Sequence, residues 1–173
     1  MRGISNTAYG LLIREIERVD SGYRSRLSVQ SSLIVNPLNK YATDVARERY
    51  LQKCLKGELQ GAAAITEPDH GSDLSGMETY AESDGAGGYL LSGNKTWISF
   101  VNTADIMVVY ARDRTNNNAL QGFIVTKDMP GIEATKMEGK MALRTITSCH
   151  VRLDKVRVPA ENKFKTSGLK SFL

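Results

Sequence analysis

Apolar side chains recur at intervals of three and four near the start of the chain, at Ile4, Ala8, Leu11, Leu12, Ile16 and Val19, with Arg14, Glu15, Glu17 and Arg18 between them. That period predicts an amphipathic helix over residues 4–19. Asp20-Ser21-Gly22 interrupts it. Ser21 or Gly22 can cap a second helix that runs to Val35, and Asn36-Pro37 closes it, because a residue before proline avoids helical geometry. The two form a helical hairpin. A third helix is predicted from Thr43-Asp44, with Ala46, Tyr50, Leu51, Cys54 and Leu55 on one face and Gly57 in the usual C-terminal glycine position. From Leu59 the pattern changes to short β-prone runs over 59–66, 77–82, 89–91, 95–99, 106–111, 121–126 and 149–158, separated by Gly, Asn and Asp clusters. Seven such runs predict a small antiparallel barrel or sandwich. The continuous run Ile106-Met107-Val108-Val109-Tyr110 reads as buried on both faces, whereas Lys95-Thr96-Trp97-Ile98-Ser99 sets a large aromatic among polar residues. The fold class is therefore α+β: a helical part over 1–57, a β part over 58–162, and a tail over 163–173.

Composition narrows the function classes. The 173 residues are 41% hydrophobic and 24% charged, the balance of a soluble globular domain, with no apolar run of membrane-spanning length and no secretory stretch after Met1. The net charge of +4 is spread along the chain, which argues against a nucleic-acid footprint and suits an anionic small molecule. Cys54 and Cys149 stand far apart with no paired spacing, so neither a disulfide framework nor a metal site is indicated, and both read as reduced and at least half-buried.

The segment Thr66-Glu67-Pro68-Asp69-His70-Gly71-Ser72-Asp73 ends a strand and opens a loop rich in hydroxyls and carboxylates. By residue type alone it reads first as a polar turn. Ala64-Ile65-Thr66-Glu67 with Gly71-Ser72-Asp73 resembles, however, a signature of the acyl-CoA dehydrogenases. Gly57-Glu58, the run from Gly93 to Ser99, the run from Gly139 to Arg144 and the run from Val156 to Asn162 resemble further pieces of that family in the family's order. The resemblance extends from Gly3 to Asn162 and implies N-terminal helices followed by the small β-barrel middle domain, with a C-terminal helical domain expected beyond this truncated chain.

The resemblance implies FAD as cofactor, held by Ala64, Ile65, Thr66, Gly71, Ser72, Trp97, Ile98 and Ser99. Thr66 and neighbouring backbone groups would bond the edge of the ring, Trp97 would pack against it, and the Ser99 hydroxyl would bond the nitrogen that accepts hydride. Ser99 stands where relatives carry Thr, and His70 occupies a normally small site. Glu17-Arg18-Val19-Asp20-Ser21-Gly22-Tyr23-Arg24-Ser25 resembles the glutaryl-CoA branch in particular. There Arg24 would meet the distal carboxylate of a dicarboxylic acyl-CoA, Ser25 would donate a further bond, Glu17 would hold the network, and Ser72 would also face substrate. The implied reaction is oxidation and decarboxylation of glutaryl-CoA to crotonyl-CoA, with electrons leaving to an electron-transfer flavoprotein. The base is a glutamate of the expected C-terminal domain, so no catalytic residue is assigned in 1–173, Glu67 included. A homo-oligomer, in the mitochondrial matrix or the bacterial cytoplasm, is implied for the full-length form. A non-catalytic remnant serving as a structural or binding subunit is the alternative.

Overall fold

The computed structural model describes residues 4–168. Helix α1, Asn6–Glu17, is capped by Ser5, whose hydroxyl accepts from the Ala8 amide at 3.1 Å. Its predicted apolar stripe is only partly covered among the described residues: Ile4, Leu11, Leu12 and Val19 are exposed, while Ala8 and Ile16 are half-buried. Helix α2, Ser21–Ser28, starts at Asp20, which accepts from the Gly22 amide at 2.6 Å. The second helix does not end at Asn36-Pro37. It passes through a π-helical stretch, Val29–Val35, into α3, Asn36–Tyr41. Pro37 lies in the first turn of α3, immediately after the π-helical stretch. Helix α4, Asp44–Lys56, runs from the Thr43 cap to Gly57 at φ 76°, as the caps predict, although Leu55 faces solvent.

Eight strands follow: β1 Gly61–Ala64, β2 Tyr80–Ser83, β3 Tyr89–Ser99, β4 Ile106–Asp113, β5 Ala119–Thr126, β6 Ile132–Lys136, β7 Ser148–Val158 and β8 Lys163–Ser167. Their order is β6-β7-β3-β2-β4-β5-β8, with β1 added to β4. Most pairs are antiparallel, but β1 and β2 both run parallel to β4, because the chain crosses over between them before β4 is laid down. The predicted break at Ser92-Gly93-Asn94 is absent, since β3 continues through it with a register shift against β7. Gly93 makes this possible: at φ 149° it lies so close to Thr79 that a Cβ would sit 2.6 Å from the Thr79 Cα.

Residues 163–167, read as tail, instead join the sheet as β8, paired with β5. The Lys163 ammonium bonds the fully buried Asp113 carboxylate at 2.6 Å, and Phe164 packs flush against Gly122. Strand β6 escaped the sequence reading because it is short and exposed along most of its length, with Ile132 and Ala134 its only apolar residues.

Two cores share β4. Met107, Val109 and Ala111 point into the barrel with Leu91, Phe123, Val151 and Val156, while Ile106, Val108 and Tyr110 meet Ile34, Leu38, Leu51, Cys54 and Phe164 beneath the helices. The strand is thus buried on both faces, as its continuous apolar run predicts. Cys54 and Cys149 are free and buried. Gly93→Ala should destabilise the protein by about 2–3 kcal/mol, through overpacking against Thr79 and an unfavourable φ, and lower the urea midpoint with little change in slope. An unshifted midpoint would show that β3 can move away from Thr79.

Candidate flavin and acyl-thioester site

Where β1 ends, the chain turns out of the sheet at Ile65 and Thr66 and enters the loop that leads to β2. The loop is pinned by a buried ion pair: the Lys95 ammonium on β3 lies 2.9 Å from a Glu67 carboxylate oxygen, the two side chains being 0% and 3% exposed. Glu67 also accepts from the Glu78 amide at 2.6 Å and the Thr79 amide at 2.9 Å, at the far end of the loop. Lys95 donates to the Ile65 carbonyl at 3.0 Å, and the Thr96 amide donates to the Thr66 carbonyl at 2.8 Å. Burial pulls the Lys95 ammonium down to about 8, against the opposing pull of Glu67. Burial pushes the Glu67 carboxyl up, but hydrogen bonds from Thr79, Glu78 and Lys95 and the lysine charge outweigh it and hold it below the usual carboxylate range.

One residue beyond Thr96, a register shift between Lys95 and Ile98 throws Trp97 out of the sheet. Its backbone is left-handed at φ 60° and its side chain is 59% exposed, while Ile98 turns inward and is buried. A bulge of this kind re-aims a side chain at a functional edge. Trp97 and Ser99 line a cleft of about 360 Å³ with Lys140, Met141, Ala142, Leu143, Ile146 and Ser148. Lys140 braces the far wall by donating to the Leu143 carbonyl at 2.8 Å and to the Ile146 carbonyl. Met141 is 98% exposed at the cleft mouth.

The hydroxyls of Thr66, Ser72 and Ser99 bond no other described residue. Gly71 and Ser72 are exposed on the loop, and Ala64 is buried in β1. His70 does not project from the loop: its ring folds back over Gly76, where an added Cβ would lie 2.3 Å from it, and its buried Nδ1 has no hydrogen-bond partner, with Asp73 Oδ2 3.9 Å away.

The helical group assembles separately. Glu17, at the end of α1, accepts from Ser21 and from Arg24 Nε at 2.6 Å, and these bonds, Ser21 first, hold its carboxyl below the usual range. The two terminal nitrogens of Arg24 have no hydrogen-bond partner among the described residues, and Ser25 is half-buried beside it. No described hydrogen bond joins Glu17, Arg24 and Ser25 directly to Thr66, Trp97 and Ser99. The two groups are brought together through Asp20, which accepts from Thr145 Oγ1 at 3.1 Å, and through Gly22, where a Cβ would lie 2.4 Å from that oxygen. Arg26 adds a stack over Phe100 at 4.7 Å and a bond to the Gly61 carbonyl at 3.2 Å.

Residues 62–156 match the acyl-CoA dehydrogenase middle domain, and residues 2–58 match the acyl-CoA dehydrogenase N-terminal domain. The chain belongs to the acyl-CoA dehydrogenase family. Its fold superposes on a glutaryl-CoA dehydrogenase from Mycobacterium smegmatis in complex with FADH2 with a TM-score of 0.91 and 35% identity, covering 98% of this chain and 43% of that one. It is 34% identical to a short-chain-specific acyl-CoA dehydrogenase of Megasphaera elsdenii over 93% of this chain and 43% of the relative. It is 33% identical to a mitochondrial isovaleryl-CoA dehydrogenase of Pongo abelii over 92% of this chain and 38% of the relative. The chain therefore spans about two fifths of the length of these acyl-CoA dehydrogenases, which act on different acyl groups.

The arrangement suits a flat, polar-edged aromatic group: an exposed indole offers a face, and the free Ser99 hydroxyl lines the same cleft. Among the described residues no cluster of His, Cys, Asp or Glu could hold a metal ion, and no helix is long and apolar enough to cross a membrane. Sequence reasoning missed the roles of Lys95 and Lys140. Both stand inside quoted motifs, yet nothing in a one-dimensional pattern says that a lysine points inward to backbone carbonyls.

Glu67 gives this architecture an acid limit. Because its folded pKa is depressed, its contribution to stability is complete above the ordinary carboxylate value of 4.5 and is lost as pH falls through the folded value. Urea midpoints of the wild type should fall over that acid range, and Glu67→Gln should show a lower midpoint at neutral pH with a shallower acid slope. An identical slope in the variant would mean that other carboxylates set the limit.

Proposed function

We propose that this chain forms the flavin-facing and acyl-facing part of an acyl-CoA dehydrogenase of the glutaryl-CoA type. The observation that carries the reading is the outward-turned Trp97, which shares with the free hydroxyl of Ser99 a cleft walled by residues 140–148, while Thr66 is tied to the same strand through the bond from the Thr96 amide to its carbonyl. Those residues fit the isoalloxazine of FAD, which when bound takes a hydride from the acyl chain of a CoA thioester. Trp97 supplies a stacking face, Ser99 a hydrogen bond to the ring nitrogen that receives the hydride, and Thr66 with the neighbouring backbone a polar contact to the ring edge where negative charge collects. Ile65, Gly71 and Ser72 would complete the same surface, whereas Ala64 and Ile98 have their side chains in the barrel core and could offer a ligand only backbone atoms.

The substrate reading rests on Arg24. An acyl chain that ends in a carboxylate needs a fixed cation where it is buried, and the terminal nitrogens of Arg24 are available while Glu17 and Ser21 orient its root. Ser25 stands next to it to donate a further bond. Relatives that act on short-chain or isovaleryl groups have no distal carboxylate to meet. In the whole protein, glutaryl-CoA would be oxidised and decarboxylated to crotonyl-CoA, and electrons would pass to an electron-transfer flavoprotein. No residue of this chain is assigned as the base that removes the proton beside the thioester. Glu67 is unsuited to that role, since Lys95 and two backbone amides occupy its carboxylate and it is 4% exposed.

The test is the absorbance spectrum of the purified chain with FAD, before and after addition of glutaryl-CoA, together with ligand affinities. Flavin should be retained, and Arg24→Met should weaken glutaryl-CoA binding by about 2–5 kcal/mol while changing butyryl-CoA binding little. Failure to retain flavin would contradict the cofactor reading and favour a structural or binding role. Equal losses for both thioesters would contradict the dicarboxylate reading.

A further inference from the structure

We propose that Glu67 and Lys95 are positioning residues for the flavin surface: together they fix Thr66 against Trp97, so that the hydroxyl and the indole meet one flat ligand in a set geometry. This rests on the assignment of Thr66 and Trp97 to the flavin. Thr66 is held at three consecutive points by two consecutive residues of β3. Lys95 bonds the carbonyl before it, at Ile65, and the side chain after it, at Glu67, while the Thr96 amide bonds the Thr66 carbonyl itself. Trp97 is the next residue along the strand, at the point where β3 bulges away from β7.

The Thr96 side chain, on the face of β3 opposite Lys95, bonds Nδ1 of the exposed His150 at 2.8 Å and fixes the strand from its other side. Glu67 ties the arrangement to the far end of the loop through the Glu78 and Thr79 amides, so that Gly71 and Ser72 are closed into a loop of fixed span. A charge pair in this place is a poor stabiliser. Two ions are desolvated to make it, and an apolar pair of similar volume would hold the core as well. What an apolar pair could not do is grip the Ile65 carbonyl and two loop amides at once.

The test compares Glu67→Gln, Lys95→Met and the double variant by urea midpoint and by FAD quenching of Trp97, the sole tryptophan of the chain. Each single change leaves a buried charge alone and should lower both stability and flavin affinity, the latter by about tenfold or more. The double variant should regain most of the stability, since no lone charge remains, but not the affinity, since nothing holds the Ile65 carbonyl. Recovery of both together would overturn the proposal and make the pair merely structural.

A pH profile gives a second readout. In the wild type, flavin quenching should weaken as pH rises through about 8, where Lys95 loses its proton. The titratable neighbours are Glu67 on the pair itself, His150 behind Thr96, and His70, Asp73 and Glu78 on the loop. Lys95→Met isolates the ammonium's share, and an alkaline limb that survives in it would overturn the proposal. If the wild type binds no flavin, the cofactor reading fails by itself. Positioning is then read from amide exchange at Thr96 relative to the β4–β5 pair, which should quicken selectively in both single variants and would refute the proposal if unchanged.

Discussion

The buried contact between Lys95 and Glu67 is the constraint on which the working face depends. An ammonium and a carboxylate excluded from water are tolerated when they are paired and further hydrogen bonds offset the loss of hydration. Here the carboxylate takes two loop amides and the ammonium takes the Ile65 carbonyl. The cost of desolvation is visible in the lysine, pulled down to about 8, and the compensation in the glutamate, held below its usual range. A loop that would otherwise be a string of Pro, Asp, Gly and Ser turns is thereby given one path.

Around that fixed point the rest of the molecule is a support. Apart from a few buried polar groups the barrel interior is apolar, and β2 lies between β3 and β4 with β1 added to β4, so one sheet carries both the exit of β1 and the bulge of β3. The helices pack on the outer face of β4 and reach the cleft by a narrow contact. Asp20 and Gly22 meet Thr145 directly, and Arg26 lies over Phe100. Gly22 is required there by close approach alone. The helical group that includes Arg24 and the barrel group that includes Trp97 are therefore placed relative to each other by a few short contacts on one side of the cleft.

Much of this was legible in the residues, for reasons that differ by element. Helix α4 could be read to its ends because Thr43 and Gly57 act through local capping geometry. Strand β4 could be read because five apolar residues in succession have no other comfortable place. The end of the second helix was misread at Pro37, since proline closes a helix or opens one with equal ease and only the π-helical stretch before it decides. Gly93 was read as a turn because its actual task, letting β3 pass against Thr79, is a tertiary one. Strands β6 and β8 were missed for opposite reasons: the first is exposed, and the second is secured by Phe164 and by Lys163 on a distant aspartate. At the site, Trp97 and the hydroxyls stood out by type and by family pattern, whereas the burial of Lys95 is a property of the folded barrel.

The most direct measurement of the central claim is a nitrogen-15 spectrum of the chain titrated with FAD. Shift changes should concentrate at residues 64–72, at 96–100 with the Trp97 indole signal among the largest, and along the 140–148 loop, leaving the helix-facing side of β4 unmoved. A titration that leaves the Trp97 indole unchanged, or that maps to another face of the barrel, would contradict the account.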